Sequence, residues 1–267
     1  AFFLVPDQET YTAERMLADI FPGHGFIDAT VCGFSRLAYR VFNELRSPVQ
    51  DALSPLGQQI IISRILAEYR DELQMLMKIS TQPHFAENLM NLFHQFDMFC
   101  ISETALHDAS LVEEGTPLGR KLADLSLLYK NYHDYLHTRF SYEGSLFDLL
   151  AGEIPKSEIL RRSRIWIDGF NGMTPQKIRI VSALIRTAEE VTFTLPLPDA
   201  KEGLSNEIFA RPANLYALLS EKEPHFDSVT LPEMKRFRCP RLRCLAADYF
   251  QNVPSPCPLP KEASPVP

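Results

Sequence analysis

Short apolar runs alternate with longer helical periods over the first fifty residues, and the same alternation returns after residue 160. Phe2–Val5 is closed by Pro6, Ile165–Asp168 by Gly169 and Val191–Leu195 by Pro196, while Ala29–Phe34 forms a fourth run. Brief apolar segments of this kind, ended by turn or polar signals, predict buried strands of a parallel sheet. Helices are predicted over Glu9–Phe21, Ser35–Leu45 and Pro175–Ala188. The last has Thr174 as an N-cap and Pro175 at the first helical position, a strong start signal. Strand followed by helix, repeated, predicts an α/β fold with helices covering the sheet.

That alternation is interrupted between Pro48 and Pro155, where only helical patterns occur: Gln58–Ile79, Ala86–Phe96 and Leu118–Arg139. Leu122, Leu125, Leu128, Tyr129 and Tyr132 fall on one stripe of the last. The expected organisation is an α/β core from residues 1–47 and 156–210, with a large all-helical subdomain, 48–155, inserted in it. A following region, 211–252, carries a helix (Ala213–Ser220), a strand (Ser228–Leu231) and a helix (Arg241–Phe250). Residues 253–267 are Pro-rich without apolar period and read as a linker or tail. The opening Ala1-Phe2-Phe3-Leu4-Val5-Pro6 reads as the middle of a buried strand, so the chain is expected to be a piece of a longer protein, its sheet incomplete at the N-terminus.

Composition narrows the chemistry. The 267 residues carry a net charge of −7, so no global positive field draws in nucleic acid, and any such site is local. Five scattered cysteines, an odd number, suit reduced thiols and a cytoplasmic location better than a disulfide framework. No apolar run approaches the ~18 residues of a membrane span, and no secretory leader opens the chain, so no membrane partner is expected. Cys239, Cys244 and Cys257 do not match zinc or iron–sulfur spacing. His133 and His137 lie one turn apart but lack a general-base Glu and a third ligand, so a solvated helix face is preferred. Arg236, Arg238, Arg241 and Arg243 read as generic basic surface.

A parallel sheet invites phosphate chemistry, which needs a Gly-rich loop, a Lys and a Ser/Thr on magnesium. No such loop occurs in these 267 residues; one belonging to the parent protein would precede Ala1. Asp168, at the end of Ile165-Trp166-Ile167, resembles a degenerate Walker B carboxylate, yet Gly169 follows where active helicase-type hydrolases carry a Glu. The chain is therefore expected not to hydrolyse nucleotide by itself. Ligands of open α/β sheets sit beyond the carboxyl ends of the strands. Those ends hold Asp7, Gln8 and Thr10, then Phe34, Arg36 and Tyr39, then Phe170 and Asn171. Rings for stacking, a guanidinium, an amide and a hydroxyl would suit DNA readout; from the residues alone the plainer reading is preferred, with Phe34 and Tyr39 as core and Arg36 as a surface charge.

Leu4-Val5-Pro6-Asp7-Gln8-Glu9-Thr10-Tyr11, Gly33-Phe34-Ser35-Arg36-Leu37-Ala38-Tyr39-Arg40-Val41, Trp166-Ile167-Asp168-Gly169-Phe170 and Thr174-Pro175-Gln176 resemble, in order and spacing, the AddB family, called RexB in some bacteria. The resemblance covers nearly the whole chain. It implies a superfamily-1 helicase-like region of P-loop NTPase type that does not drive unwinding. It implies an AddA-like helicase–nuclease partner, and scanning of the 3′ single strand for the recombination hotspot Chi during double-strand break repair. The implied Chi-contacting residues are Gln8, Thr10, Phe34, Arg36, Tyr39 and Phe170. Tyr39 replaces the Trp common in the family, keeping a stacking face of different size. The family's magnesium and ATP belong to the parent complex, and its nuclease site and 4Fe-4S cysteines to a later C-terminal domain; no cofactor is expected within this stretch. Two other readings stay open: an active ATPase domain truncated at the front, and a scaffold that docks the partner.

Overall fold

A computed structural model describes residues 1–21, 25, 28–47, 53–139, 143–197, 209–223 and 225–231, with positions 239 and 242. Ala1–Pro224 is one compact unit and His225–Pro267 another. In the first, β1 (Phe2–Leu4), β2 (Thr30–Cys32), β3 (Arg164–Ile167) and β4 (Glu190–Phe193) form one parallel sheet in the order β2-β1-β3-β4. Phe3 is level with Val31 on one side and with Trp166 on the other. The four expected strands are all present. The expected Ala29–Phe34 run stops at Cys32, because Gly33 caps α2 (Phe34–Leu45) and Phe34 is already helical.

The two faces of the sheet are covered unequally. Phe2, Leu4, Cys32, Ile165 and Ile167 join a large buried cluster with Leu37, Val41 and Phe42 of α2 and with Ile180, Val181 and Leu184 of α9 (Pro175–Thr187). In α2 the buried positions Phe34, Leu37, Ala38, Val41 and Phe42 recur at helical spacing, giving one apolar stripe toward the sheet. On the other face only α1 (Thr10–Ile20) packs among the described residues, through Ala13 and Leu17 against Val5, Val31 and Phe3.

Between β2 and β3 the described chain is helical, with turns: α3 (Pro55–Glu68), α4 (Phe85–Met98), α5 (Glu103–Val112), α6 (Pro117–Arg139), α7 (Glu143–Glu153) and α8 (Glu158–Arg161). α3, α4 and α6 build a second core around Phe93, whose ring lies 5.0 Å from that of Tyr129 and 5.3 Å from that of Tyr132. Leu146, Phe147 and Leu150 of α7 instead enter the core of the sheet. α10 (Ala210–Lys222) overlies the expected Ala213–Ser220 helix. No helix among the described residues is long and apolar enough to cross a membrane.

Two expectations need correction. The predicted helix Gln58–Ile79 ends at Glu68, and residues 73–84 run as turns and irregular chain. The cause is Asp124, a buried carboxylate of α6, which accepts from the backbone N–H groups of Gln74, Met75 and Leu76 at 2.9, 2.8 and 2.8 Å. These bonds to a charge replace helical ones and hold the segment against α6. In the second unit, the predicted strand Ser228–Leu231 is exposed, without strand structure; its apolar residues have no neighbouring strand among the described residues. The expected helix Arg241–Phe250, apart from position 242, and the tail 253–267 lie outside the described residues.

Replacing Asp124 with Ala would strand three backbone donors. Asp124→Ala is expected to destabilise the chain by about 3–5 kcal/mol in denaturant unfolding, and Asp124→Asn by less, since one acceptor oxygen is kept.

Candidate functional site

The strand order places β2 and β3 on opposite sides of β1, so the chain reverses direction across the sheet between β1 and β3. A crevice outside the carboxyl ends forms at such a point. Three backbone bonds prolong the sheet into this edge: Val5 N–H to the Cys32 carbonyl at 3.1 Å, Asp168 N–H to Leu4 at 2.9 Å and Thr194 N–H to Ile167 at 3.0 Å. The residues just past the strands are therefore held in register with one another.

After β1 the chain makes a single 3₁₀ turn, Asp7–Glu9, before entering α1. Two glycines flank it. A Cβ on Gly33 would overlap Asp7 Oδ1, and one on Gly169 would lie 2.6 Å from Glu9 Oε2 and 3.1 Å from Pro6 Cδ. Gly169 also has φ +79°, the left-handed region that side chains disfavour. Gly33 is conformationally ordinary, with φ −89°, so there the requirement is space alone.

The predicted contact residues divide by exposure. Gln8 stands exposed on the turn between the two glycines, and the Thr10 hydroxyl donates to the Asp7 carbonyl at 3.0 Å, closing the turn into α1. Arg36 is 64% exposed, with a long 3.9 Å approach to Glu14. Tyr39, three residues on along α2, is 47% exposed, so phenol and guanidinium share a helix face. Arg40 is engaged otherwise: it donates to Thr30 Oγ1 at 3.0 Å and lies over the Phe2 ring. Phe34 and Phe170 are 3% and 8% exposed and pack ring to ring at 5.4 Å. In this structure neither ring offers an open face to a base; both belong to the buried core of the sheet. Asn171 is exposed beside them.

Asp168 Oδ1 accepts a hydrogen bond from the Thr194 hydroxyl, tying β3 to the end of β4. The Cys32 thiol beneath the edge is pushed up to about 11 by burial, which outweighs the opposing pull of Arg36 and Arg40. That thiol is no nucleophile at neutral pH. No group of three or more His, Cys, Asp or Glu side chains placed to hold a metal ion occurs among the described residues. His133 points Nε2 at Asp97 Oδ1, 3.1 Å away, and its Nδ1 lies 3.4 Å from His137 Nε2. It is a helix-packing residue rather than the fully solvated one expected. Of the basic and cysteine positions read from the sequence near the end, Cys239 is exposed; Arg236, Arg238, Arg241, Arg243, Cys244 and Cys257 lie outside the described residues.

One side chain at this edge was not legible in the sequence. Lys177, in the first turn of α9, holds its Nζ 5.8 Å from the centroid of the Phe34 ring. No motif marks it; the available hint was a cation in a helical first turn that contains no acid. The edge as a whole offers an amide, a guanidinium, a phenol and an ammonium, interspersed with the carboxylates of Asp7 and Glu9. Such a set has the chemistry to hydrogen-bond, stack on and neutralise a polar ligand.

Residues 1–245 match the protein family described as "ADDB, N-terminal". The chain is 34% identical to the B-type subunit of the ATP-dependent helicase/deoxyribonuclease of Pelotomaculum thermopropionicum, over 95% of the chain and 23% of that protein. The same-named proteins of Heliobacterium modesticaldum and Carboxydothermus hydrogenoformans are 32% and 31% identical, each over 95% of this chain and 22% of its own length. The chain thus spans less than a quarter of these relatives.

The two glycines are expected to respond differently to substitution. Gly169→Ala combines a strained φ with contact against the Pro6 ring, and is expected to cost about 1–3 kcal/mol in thermal or denaturant unfolding. Gly33→Ala is expected to cost less, because the exposed Asp7 carboxylate can swing aside. Native-state alkylation at pH 8 is expected to modify Cys100 while sparing Cys32.

Proposed function

We propose that this chain, which belongs to the ADDB N-terminal family, is the DNA-reading part of a helicase–nuclease, and that it reads single-stranded DNA without turning over nucleotide. The observation that carries this reading is Gly169. It follows Asp168 at the switch point of the sheet, has φ +79°, and is pressed against Pro6 and Glu9. A water-positioning carboxylate at that place would need a side chain on a left-handed backbone, crowded by the Pro6 ring and the Glu9 carboxylate. The space is taken by the turn that presents Gln8.

In this reading Tyr39 stacks on a base, Arg36 hydrogen-bonds a base edge, and the Gln8 amide adds a donor and an acceptor. Thr10 fixes the turn that carries Gln8, and the Phe34–Phe170 pair ties the start of α2 to the segment after β3. The burial of those two rings favours a packing role for them over direct stacking. The ligand is the 3′ single strand emerging from an AddA-like partner, and the sequence sought is Chi, as in the family that the motifs resemble. The relatives' name, which makes each of them one subunit of an ATP-dependent helicase/deoxyribonuclease, supports a multi-subunit DNA-processing assembly. ATP, magnesium and the iron–sulfur cluster belong to other parts of that assembly in this reading.

The test uses the full-length protein with its partner. Arg36→Ala and Tyr39→Ala are each expected to reduce discrimination for Chi by about 1–3 kcal/mol, read as lost pausing and cutting at Chi, while unwinding continues. An unchanged Chi response would reject the reading, and loss of unwinding through failed assembly would favour a scaffold. Asp168→Asn is expected to leave the ATP turnover of the complex unaltered; abolished turnover would instead identify an active ATPase domain.

A further inference from the structure

We infer that Lys177 is a phosphate contact of the same edge, holding the backbone of the single strand whose bases Gln8, Arg36 and Tyr39 read; this rests on the DNA-reading function proposed above. Position is the first ground. The Lys177 ammonium lies over Phe34, and Phe34 packs on Phe170, so the charge sits where α2 begins and β3 ends. The side chain is half-buried, with its position limited by the ring beneath it.

Among the described residues no carboxylate pairs with Lys177, whereas neighbouring cations are engaged: Arg36 approaches Glu14, Arg40 bonds Thr30, and Arg179 bonds Asp148. A cation in the first turn of a helix also faces the positive end of the helix dipole, so stability alone disfavours it there. The first turn of α9 contains no acidic residue to offset it. A cation held this way, at a polar edge, is arranged for an external anion.

The chemistry of the edge fixes what that anion is. An ammonium is a point charge that neutralises phosphate without reporting base identity. Asp7 and Glu9, exposed on the turn after β1, repel phosphate from that side. The backbone is thus directed toward α9, and the bases toward Gln8, Arg36 and Tyr39. In a chain of net charge −7, local contacts of this kind are required for a polyanion to settle.

The experiment measures binding of single-stranded oligonucleotides, with and without Chi, to the full-length protein in complex with its partner over a range of salt. Lys177→Gln is expected to weaken all sequences equally and to reduce the slope of log K against log[salt] by about 0.7, the loss of one phosphate contact on a single strand. Lys177→Arg is expected to retain the slope. An unchanged slope in Lys177→Gln overturns the inference, as does an equal loss in both variants accompanied by a lower Tm, which marks a structural role. Arg36→Ala, run in parallel, separates the two levels. If it abolishes discrimination while Lys177→Gln leaves the slope intact, only the phosphate contact fails; if neither variant alters binding, the DNA-reading function fails with it.

Discussion

Close packing of two glycines against the side chains of one turn, at the carboxyl edge of the sheet, is the constraint on which this edge depends. The turn Asp7–Glu9 lies between Gly33 and Gly169, and neither glycine can carry a side chain without displacing something already there. At Gly33 the obstacle is an exposed carboxylate that can rotate; at Gly169 it is the Pro6 ring together with a positive φ. A side chain is thus harder to accommodate on the β3 side of the edge than on the β2 side. Rigid placement is what a binding surface needs, since polar contacts lose their selectivity when the groups that make them wander.

Around that edge, the fold separates support from contact. Phe34 and Phe170 pack under the surface, Arg40 is bound to Thr30 and Phe2, and Asp168 to Thr194. Gln8, Arg36 and Tyr39 project beyond them with few bonds of their own. The long helical stretch stands on a separate aromatic core, and its irregular segment is fixed by three bonds to Asp124. That stretch still meets the packing of the sheet, through α7 and Leu160 of α8, which belong to the sheet's own cluster, and through Arg179 of α9, which donates to Cys100 Sγ just past the end of α4.

The strands were legible because each is a short apolar run, three of them stopped by Pro6, Gly169 or Pro196; the fourth, Ala29–Phe34, has no such stop and was read past its end at Cys32. Thr174-Pro175 announced α9 for a comparable local reason, and the Thr174 hydroxyl does accept from the Lys177 N–H. What failed to show in the sequence was set by distant partners. The helix expected to reach Ile79 stops at Glu68 because a carboxylate some fifty positions later captures its successors' N–H groups. α5 was missed because its apolar residues do not share one face, Leu111 and Val112 being exposed while Leu106 is buried. Phe34 and Phe170 were recognised as strand-end aromatics, but their mutual burial depends on two segments far apart in the chain. Lys177 carried no motif; only its place over Phe34 distinguishes it from other surface lysines.

The measurement closest to the central claim is photo-cross-linking of the full-length protein, in complex with its partner, to single-stranded oligonucleotides carrying an iodinated base at each position in turn. Cross-linked peptides spanning residues 8–10, 34–40 and 170–177, with the bases at Chi giving the strongest signal, are the expected result. A bound strand whose cross-links avoid all three segments would contradict the account and return this edge to a purely structural role.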